Sequence, residues 1–169
     1  MTITLTANYK EPLAPEIVEI VDELVEDGGY ELEEVLTVYD YFGDEYVENL
    51  ADIIDILENT DASKSDLYNF MEEYSVDDLE YFAKYQELRE DYDSAAVDAY
   101  IALYSVSDLE DFEDAYEGYY VDVQDLVEEL MDNMGTEIPS WVCIDYEATW
   151  NCSLRHDYDE ENGYYFRKI

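Results

Sequence analysis

Basic residues are scarce in this sequence. Only 7 of its 169 residues are Lys or Arg, against 47 Asp or Glu, so the formal net charge is -40. No Lys or Arg occurs between Lys10 and Lys64 or between Arg89 and Arg155, so most carboxylates in these stretches have no ion-pair partner nearby in sequence. The uncancelled negative field repels nucleic acids and anionic membranes, which excludes both as direct ligands.

Cysteine and long apolar runs are also rare. The two cysteines, Cys143 and Cys152, lie nine positions apart, and we expect two reduced thiols rather than a disulfide scaffold. The N-terminus has no basic start followed by an apolar core, and no apolar run approaches the length of a membrane span. The sequence therefore predicts a cytoplasmic protein with no membrane partner.

Residues for catalysis are equally limited. His156 is the single histidine, so a Ser-His-Asp triad or a Cys-His pair could be built only around it. Its neighbours Arg155 and Asp157 favour a solvated or salt-bridged imidazole, and pairs of carboxylates are too abundant here to indicate acid–base catalysis. There is no Gly-rich phosphate loop and no Cys/His zinc spacing. We expect a protein that is not an enzyme and carries no cofactor.

Calcium is a fairer alternative, because hard cations take oxygen ligands and the chain is rich in them. The best candidate loop, Asp157–Gly163, puts its glycine one position later than an EF-hand requires. Lys168 stands where the bidentate glutamate should be. A β-hairpin is the better interpretation of this segment, and we expect no metal site.

The hydrophobic residues of the sequence follow the pattern of a folded protein. Hydrophobic residues make up 48% of the chain and recur at helical spacing. Many of the 19 tyrosines are expected in half-buried helix positions, whereas a cluster such as Tyr119-Tyr120 could contact a partner. Self-repulsion disfavours one sphere with a radius of gyration of roughly 15 Å and favours an elongated string of modules. At one charge per about 1.7 Å of duplex, 40 charges correspond to about 68 Å of DNA, or roughly 20 base pairs.

The sequence of residues 1–43 predicts a small N-terminal domain with both helix and strand. Residues 2–6 alternate Thr with Ile or Leu and indicate a strand, and Pro15 is placed to open a helix that runs to about Asp27. Gly28-Gly29 is the stop signal of that helix. Residues 34–39 are typical of a second strand.

From Asp44 to about Tyr104 the pattern is helical throughout and predicts a small bundle. Two helix starts in and after it are alike: the segments Ser75–Phe82 and Ser105–Phe112 match at six of eight positions. Acids in a first turn complement the helix dipole, so we interpret the match as shared helix-start chemistry rather than as a true repeat.

Beyond Ser105 the sequence predicts helices followed by a hairpin. The first helix ends at Gly118, a second covers Asp122–Met134 with Gly135 as its cap, and Pro139 opens a short third helix to about Asn151. The hairpin pairs Ser153–Tyr158 with Tyr164–Lys168 across an Asn162-Gly163 turn. The expected fold class is α+β, in three small domains with boundaries at 1–43, 44–104 and 105–169.

Three stretches in the C-terminal third resemble the ArdA family of antirestriction proteins. They are Asp108–Gly118, then Leu126–Leu130 with Gly135–Pro139, then Ile144–Ala148. Their order and spacing match the family, and the ending with Tyr165-Phe166 also fits. The resemblance is good from about residue 94 to 169 and looser from about 30 to 93.

The resemblance implies three small domains in a curved molecule that forms a homodimer and copies the charge of bent B-form DNA. It implies that the partner is the methyltransferase and specificity core of type I restriction–modification enzymes. The expected partner-binding acids are Asp108, Glu110, Asp111, Glu113, Asp114, Glu117, Asp122, Asp125, Glu128 and Glu129. The segment that matches the family's antirestriction motif is about Leu126 to Trp141, and in the family this part lies at the dimer contact. The expected dimer residues within it are Leu126, Val127, Leu130, Met134, Ile138 and Trp141.

Composition without the resemblance predicts only an acidic, modular, inhibitory binder. It leaves open an acidic chaperone or binding partner of basic proteins, since the field attracts any cation-rich surface. It also leaves open an inhibitor of another DNA-binding defence system. Competition with duplex DNA for one enzyme separates the mimic from the chaperone, and EDTA sensitivity would indicate a calcium module.

Overall fold

The computed structural model describes residues 13–135 and 137–169, so the strand predicted at 2–6 lies outside the described residues. The described chain is mostly helical, with a small antiparallel sheet near its C-terminus, which is an α+β composition. Two compact units are present, one running to Ala83 and the other covering Lys84–Ile169, where the sequence predicted three domains. No helix among the described residues is long and apolar enough to cross a bilayer.

The first unit is built from helices whose apolar residues recur at three- and four-residue spacing. Ile53 and Ile54 are buried on one helix, and Leu67, Phe70 and Met71 on the next. Its elements are α1 (Pro15–Glu23), a π-helical turn (Leu24–Gly28), α2 (Leu32–Phe42), a 3-10 helix (Asp44–Asn49), α3 (Leu50–Asn59), α4 (Lys64–Glu73), a 3-10 helix (Val76–Tyr81) and the start of α5 (Phe82–Asp91).

Helix α2 replaces the strand predicted at 34–39, and that prediction was wrong. The run contains Val and Thr residues, which favour strands, but its buried side chains are Val35, Val38, Tyr39 and Phe42. That spacing of three and four places all of them on one helical face, which packs on α3. Burial of a helical stripe outweighs the strand propensity of single residues.

The second unit combines helices with the sheet. After α5 it contains α6 (Ser94–Leu103), a 3-10 helix (Val106–Asp111), α7 (Phe112–Ala115), β1 (Tyr116–Tyr119), α8 (Val123–Asn133), α9 (Tyr146–Cys152), a 3-10 turn (Leu154–His156), β2 (Tyr158–Glu161) and β3 (Tyr164–Arg167). The strand order is β1-β3-β2, all antiparallel, with Tyr116 opposite Phe166 and Tyr158 opposite Arg167.

The hairpin turn is confirmed, because Asn162 and Gly163 join β2 to β3 with φ of 55° and 85°. These positive φ values suit Asn and Gly and match the twist of a two-residue hairpin. The first hairpin strand was predicted to begin at Ser153, but it begins at Tyr158. Residues Leu154–His156 form a 3-10 turn instead.

Two helix boundaries in this unit differ from the predictions. The helix expected to reach Gly118 ends at Ala115, and Gly118 lies in β1 with φ of 141° beside an irregularity in the pairing with β3. The short helix expected to open at Pro139 begins at Tyr146, because the Asp145 side chain accepts a hydrogen bond from the Ala148 N–H and caps it there.

Aromatic rings fill the core of the second unit. The ring of Phe112 stacks on Tyr116 with centroids 5.2 Å apart and meets Tyr100 edge-on at 5.3 Å. Phe166 from β3 lies 5.3 Å from Tyr100 and 5.8 Å from Tyr116. Phe112 and Phe166 are fully buried, so this cluster joins α6, α7, β1 and β3.

The match between Ser75–Phe82 and Ser105–Phe112 extends to the fold. Each serine accepts a hydrogen bond from the N–H two residues later, a six-residue 3-10 helix follows, and an α-helix begins at the phenylalanine. The helices before them, α4 and α6, are each ten residues long and begin thirty positions apart. The recurrence is therefore longer than the shared helix start inferred from eight residues.

Candidate functional site

The acidic run after Ser105 is exposed because of a three-residue burial period. Val106, Leu109, Phe112 and Ala115 are all buried, each three residues from the next. Three residues per turn is the repeat of a 3-10 helix, so one side of the segment faces the core and the intervening positions face outward. Those positions hold five exposed acids: Asp108, Glu110, Asp111, Glu113 and Asp114.

Glu113 is the one member of the predicted acidic set that forms an ion pair within the described residues. Its Oε1 lies 3.0 Å from Nζ of Lys84, which also approaches Glu87 at 3.5 Å. The hydrogen bond with Glu113 is the main cause that raises the pKa of Lys84. Sequence reasoning missed this pair, since the two residues are 29 positions apart.

Glu117, another of the predicted partner-binding acids, is half-buried on β1. The Tyr158 hydroxyl lies 3.5 Å from its Oε1, and the Tyr120 hydroxyl donates to its main-chain carbonyl at 3.2 Å. The Glu117 carboxylate therefore contacts the Tyr158 hydroxyl, and its main-chain carbonyl contacts the Tyr120 hydroxyl.

The remaining four of the ten predicted partner-binding acids lie in α8 or at its N-cap. Asp122 caps the helix, accepting hydrogen bonds from the N–H groups of Gln124 at 2.9 Å and Asp125 at 3.2 Å. Glu128 accepts from the Gln124 side chain at 3.0 Å. Leu126 and Val127 are fully buried, whereas the four acids of α8, which are Asp122, Asp125, Glu128 and Glu129, are exposed.

The predicted dimer residues fall into three groups by burial. Leu126 and Val127 are fully buried within the chain itself, so their assignment to an interface is corrected: they belong to the core of the second unit. Leu130 is half-buried. Met134, Ile138 and Trp141 are exposed, with Trp141 at 82%, in and beside the segment between α8 and α9. Of the six, these three exposed side chains are the most accessible to another subunit.

The residues weighed for chemistry lie on the surface. His156 ends a 3-10 turn rather than lying in a strand, and its carbonyl accepts a hydrogen bond from Lys168 Nζ at 3.3 Å. Cys143 and Cys152 are both exposed thiols. In residues 13–135 and 137–169, no three His, Cys, Asp or Glu side chains are grouped to hold a metal ion.

Comparisons with known proteins found no similar protein. No family model matches the chain, and no curated protein or solved structure matches it.

Proposed function

We propose that this chain is an antirestriction protein that acts as a DNA mimic. Its acidic surface occupies the DNA-binding groove of a type I restriction–modification enzyme and blocks that enzyme by competition with DNA. The observation that carries the proposal is the exposure of the predicted acids: nine of the ten are exposed, and among the described residues only Glu113 of the ten is in an ion pair.

Exposed, unpaired carboxylates suit this role because a DNA-binding groove is lined by Lys and Arg placed to meet phosphates. A carboxylate presents the same charge and accepts the same hydrogen bonds. Each exposed ion pair contributes only about 0.2–1 kcal/mol, so affinity must come from many contacts. The surplus of 47 acids over 7 bases supplies them.

The choice of target rests on the resemblance of Asp108–Gly118, Leu126–Pro139 and Ile144–Ala148 to the ArdA family. The same resemblance supports a homodimer. Of the predicted dimer residues, Met134, Ile138 and Trp141 have exposed side chains that can form its apolar contact.

The test is competition with labelled duplex for a type I methyltransferase core. Neutralising Asp108, Glu110, Asp111, Glu113, Asp114 and Glu117 together as Asn or Gln should greatly weaken competition and flatten its salt dependence. Asp114→Asn alone should lower affinity by no more than about fivefold. Asp114 is a better single probe than Glu113, whose substitution also removes an ion pair with Lys84.

A matched control removes the same charge from the first unit. The control changes six of the exposed acids of that unit to Gln: Glu16, Glu19, Glu23, Glu33, Glu45 and Glu48. If both sixfold variants lost affinity equally, only total charge would matter, as for an acidic partner of basic proteins. If one conservative substitution abolished inhibition in a folded protein, the mechanism would be a localised site and distributed mimicry would be wrong.

A further inference from the structure

Tyrosine hydroxyls donate to carboxylates at several places in this chain. In the first unit, Tyr30 donates to Asp55 Oδ1 at 2.8 Å and Tyr46 to Glu72 Oε1 at 2.8 Å. Tyr39 donates to Asp44. The first two pairs join residues 25 and 26 positions apart, so each bond links segments that are distant in sequence.

The second unit contains longer-range pairs of the same kind. Tyr164 in β3 donates to Asp93 Oδ2 at 2.7 Å across 71 positions, and Tyr104 donates to Asp159 Oδ2 at 3.0 Å across 55 positions. Tyr158 approaches Glu117, a member of the predicted acidic surface, at 3.5 Å.

The chemistry of such a pair differs from that of an ion pair. A Lys or Arg that holds a carboxylate also cancels its charge, whereas a neutral hydroxyl orients the carboxylate and leaves the full negative charge facing outward. With 7 cations and 19 tyrosines for 47 acids, hydroxyls are the more plentiful side-chain partners.

Both members of the Tyr164–Asp93 pair respond to the bond. The Tyr164 hydrogen bond is the largest cause that lowers the pKa of Asp93, so the bond favours the ionised carboxylate. In return, that bond to Asp93 is the main cause that raises the pKa of Tyr164 to about 12. The Tyr164 hydroxyl thus stays protonated and the Asp93 carboxylate stays ionised over the whole neutral pH range.

We propose that these tyrosines are positioning residues: their hydroxyls hold carboxylates in fixed places without neutralising them, so that the protein meets a rigid cationic groove with preorganised charges. The inference rests on the proposed function, because it assigns a role in binding that groove. Preorganisation strengthens binding because less side-chain freedom is lost when the complex forms.

The test uses hydroxyl deletions that leave net charge unchanged. One variant combines Tyr104→Phe, Tyr158→Phe and Tyr164→Phe. Its matched control combines Tyr41→Phe, Tyr68→Phe and Tyr119→Phe, whose hydroxyls form no hydrogen bond to a carboxylate among the described residues. Circular dichroism and thermal unfolding show first that each full-length variant is folded.

The binding measurement is competition with labelled duplex for a type I methyltransferase core over a series of salt concentrations. The positioning variant should lose affinity by about three- to tenfold, as expected for loss of hydrogen bonds to charged groups. Its salt dependence should keep the wild-type slope, because no charge is removed. Equal affinities of the positioning and control variants would overturn the inference.

The second readout is one that ring packing alone would not move. In Tyr164→Phe, carboxyl carbon NMR should show the pKa of Asp93 rising from its lowered value, and an unchanged Asp93 titration would also overturn the inference. If the wild-type protein failed to compete with duplex, the proposed function would fall. The Asp93 titration, together with calorimetric binding of an oligoarginine peptide to both variants, would then still decide the role of the hydroxyls.

Discussion

The segments Ser75–Phe82 and Ser105–Phe112 have nearly the same sequence and the same local fold, yet they lie in different units. The capping serines have φ of -165° and -162°, and each accepts a hydrogen bond from the second N–H that follows it, at 3.1 and 3.3 Å. Both phenylalanines are fully buried. The shared Ser, Leu and Phe therefore specify the same backbone conformation in both units.

The two segments differ where the local fold places no constraint. Asp77 corresponds to Ser107 and Tyr81 to Asp111, and neither pair lies at a buried position. Surroundings differ more: the ring of Phe82 meets Phe70 at 5.1 Å, whereas Phe112 lies inside the aromatic cluster that joins helices to the sheet. Local sequence thus determines the turn, and distant residues determine what the turn supports.

Truncating the two phenylalanines should give the largest effect. Phe82→Ala and Phe112→Ala each remove a buried ring and should cost about 3–5 kcal/mol of unfolding free energy. The Phe112 variant should lie at the upper end, because its ring also orders Tyr100, Tyr116 and Phe166.

Urea unfolding measures the loss, and near-ultraviolet circular dichroism reports the aromatic cluster. Phe112→Leu, which keeps most of the buried volume, is the control and should lose less. If Phe82→Ala proved the more damaging of the two substitutions, the cluster around Phe112 would not be the main support of the second unit.

High pH should weaken the second unit more than the first. A raised pKa of about 12 occurs for three tyrosines of the first unit and four of the second: Tyr30, Tyr39 and Tyr46, and Tyr100, Tyr104, Tyr120 and Tyr164. Burial is the main cause for Tyr100, Tyr104 and Tyr120. Hydrogen bonds to Asp55, Glu72 and Asp93 dominate for Tyr30, Tyr46 and Tyr164.

The direction follows from proton linkage. A folded pKa above the unfolded value of 10.0 means that the protonated hydroxyl stabilises the fold. That contribution is complete below pH 10 and is lost as the pH rises through about 12. Tyrosinate absorbance and Trp fluorescence should change together, since both tryptophans, Trp141 and Trp150, lie in the second unit. Tyrosine ionisation with no loss of structure up to pH 12 would contradict this prediction.

Features encoded by short-range pattern were predictable from the sequence. The helix opening at Pro15, the helix between Asp122 and Gly135 and the Asn162-Gly163 turn all depend on neighbours within a few positions. The exposure of the acidic run after Ser105 was predictable for the same reason, because it alternates with regularly spaced apolar residues.

Features that depend on distant partners were not predictable. Strand β1 was missed because its partner β3 lies almost fifty residues later, and Gly118 within it has the appearance of a helix stop. Apart from Tyr39–Asp44, the hydroxyl–carboxylate pairs span 25 to 71 positions, so no local pattern shows them. The burial of Leu126 and Val127 has the same origin, since the amphipathic pattern of α8 does not say whether its apolar face meets its own chain or a second one.

The smallest effect should come from the two capping serines, and it tests whether equal local structure means equal local energy. Ser75→Ala and Ser105→Ala each leave one helix-start N–H without its side-chain acceptor, which costs about 0.5–2 kcal/mol. The two losses should agree within about 0.5 kcal/mol, because distant surroundings do not reach these exposed N–H groups. Amide hydrogen exchange at Asp77 and Ser107 measures each site within the intact chain, and Ser→Gly at both positions is the control, with a loss of only a few tenths. A large cost at one serine and none at the other would show that the two segments share a backbone shape without sharing its energetics.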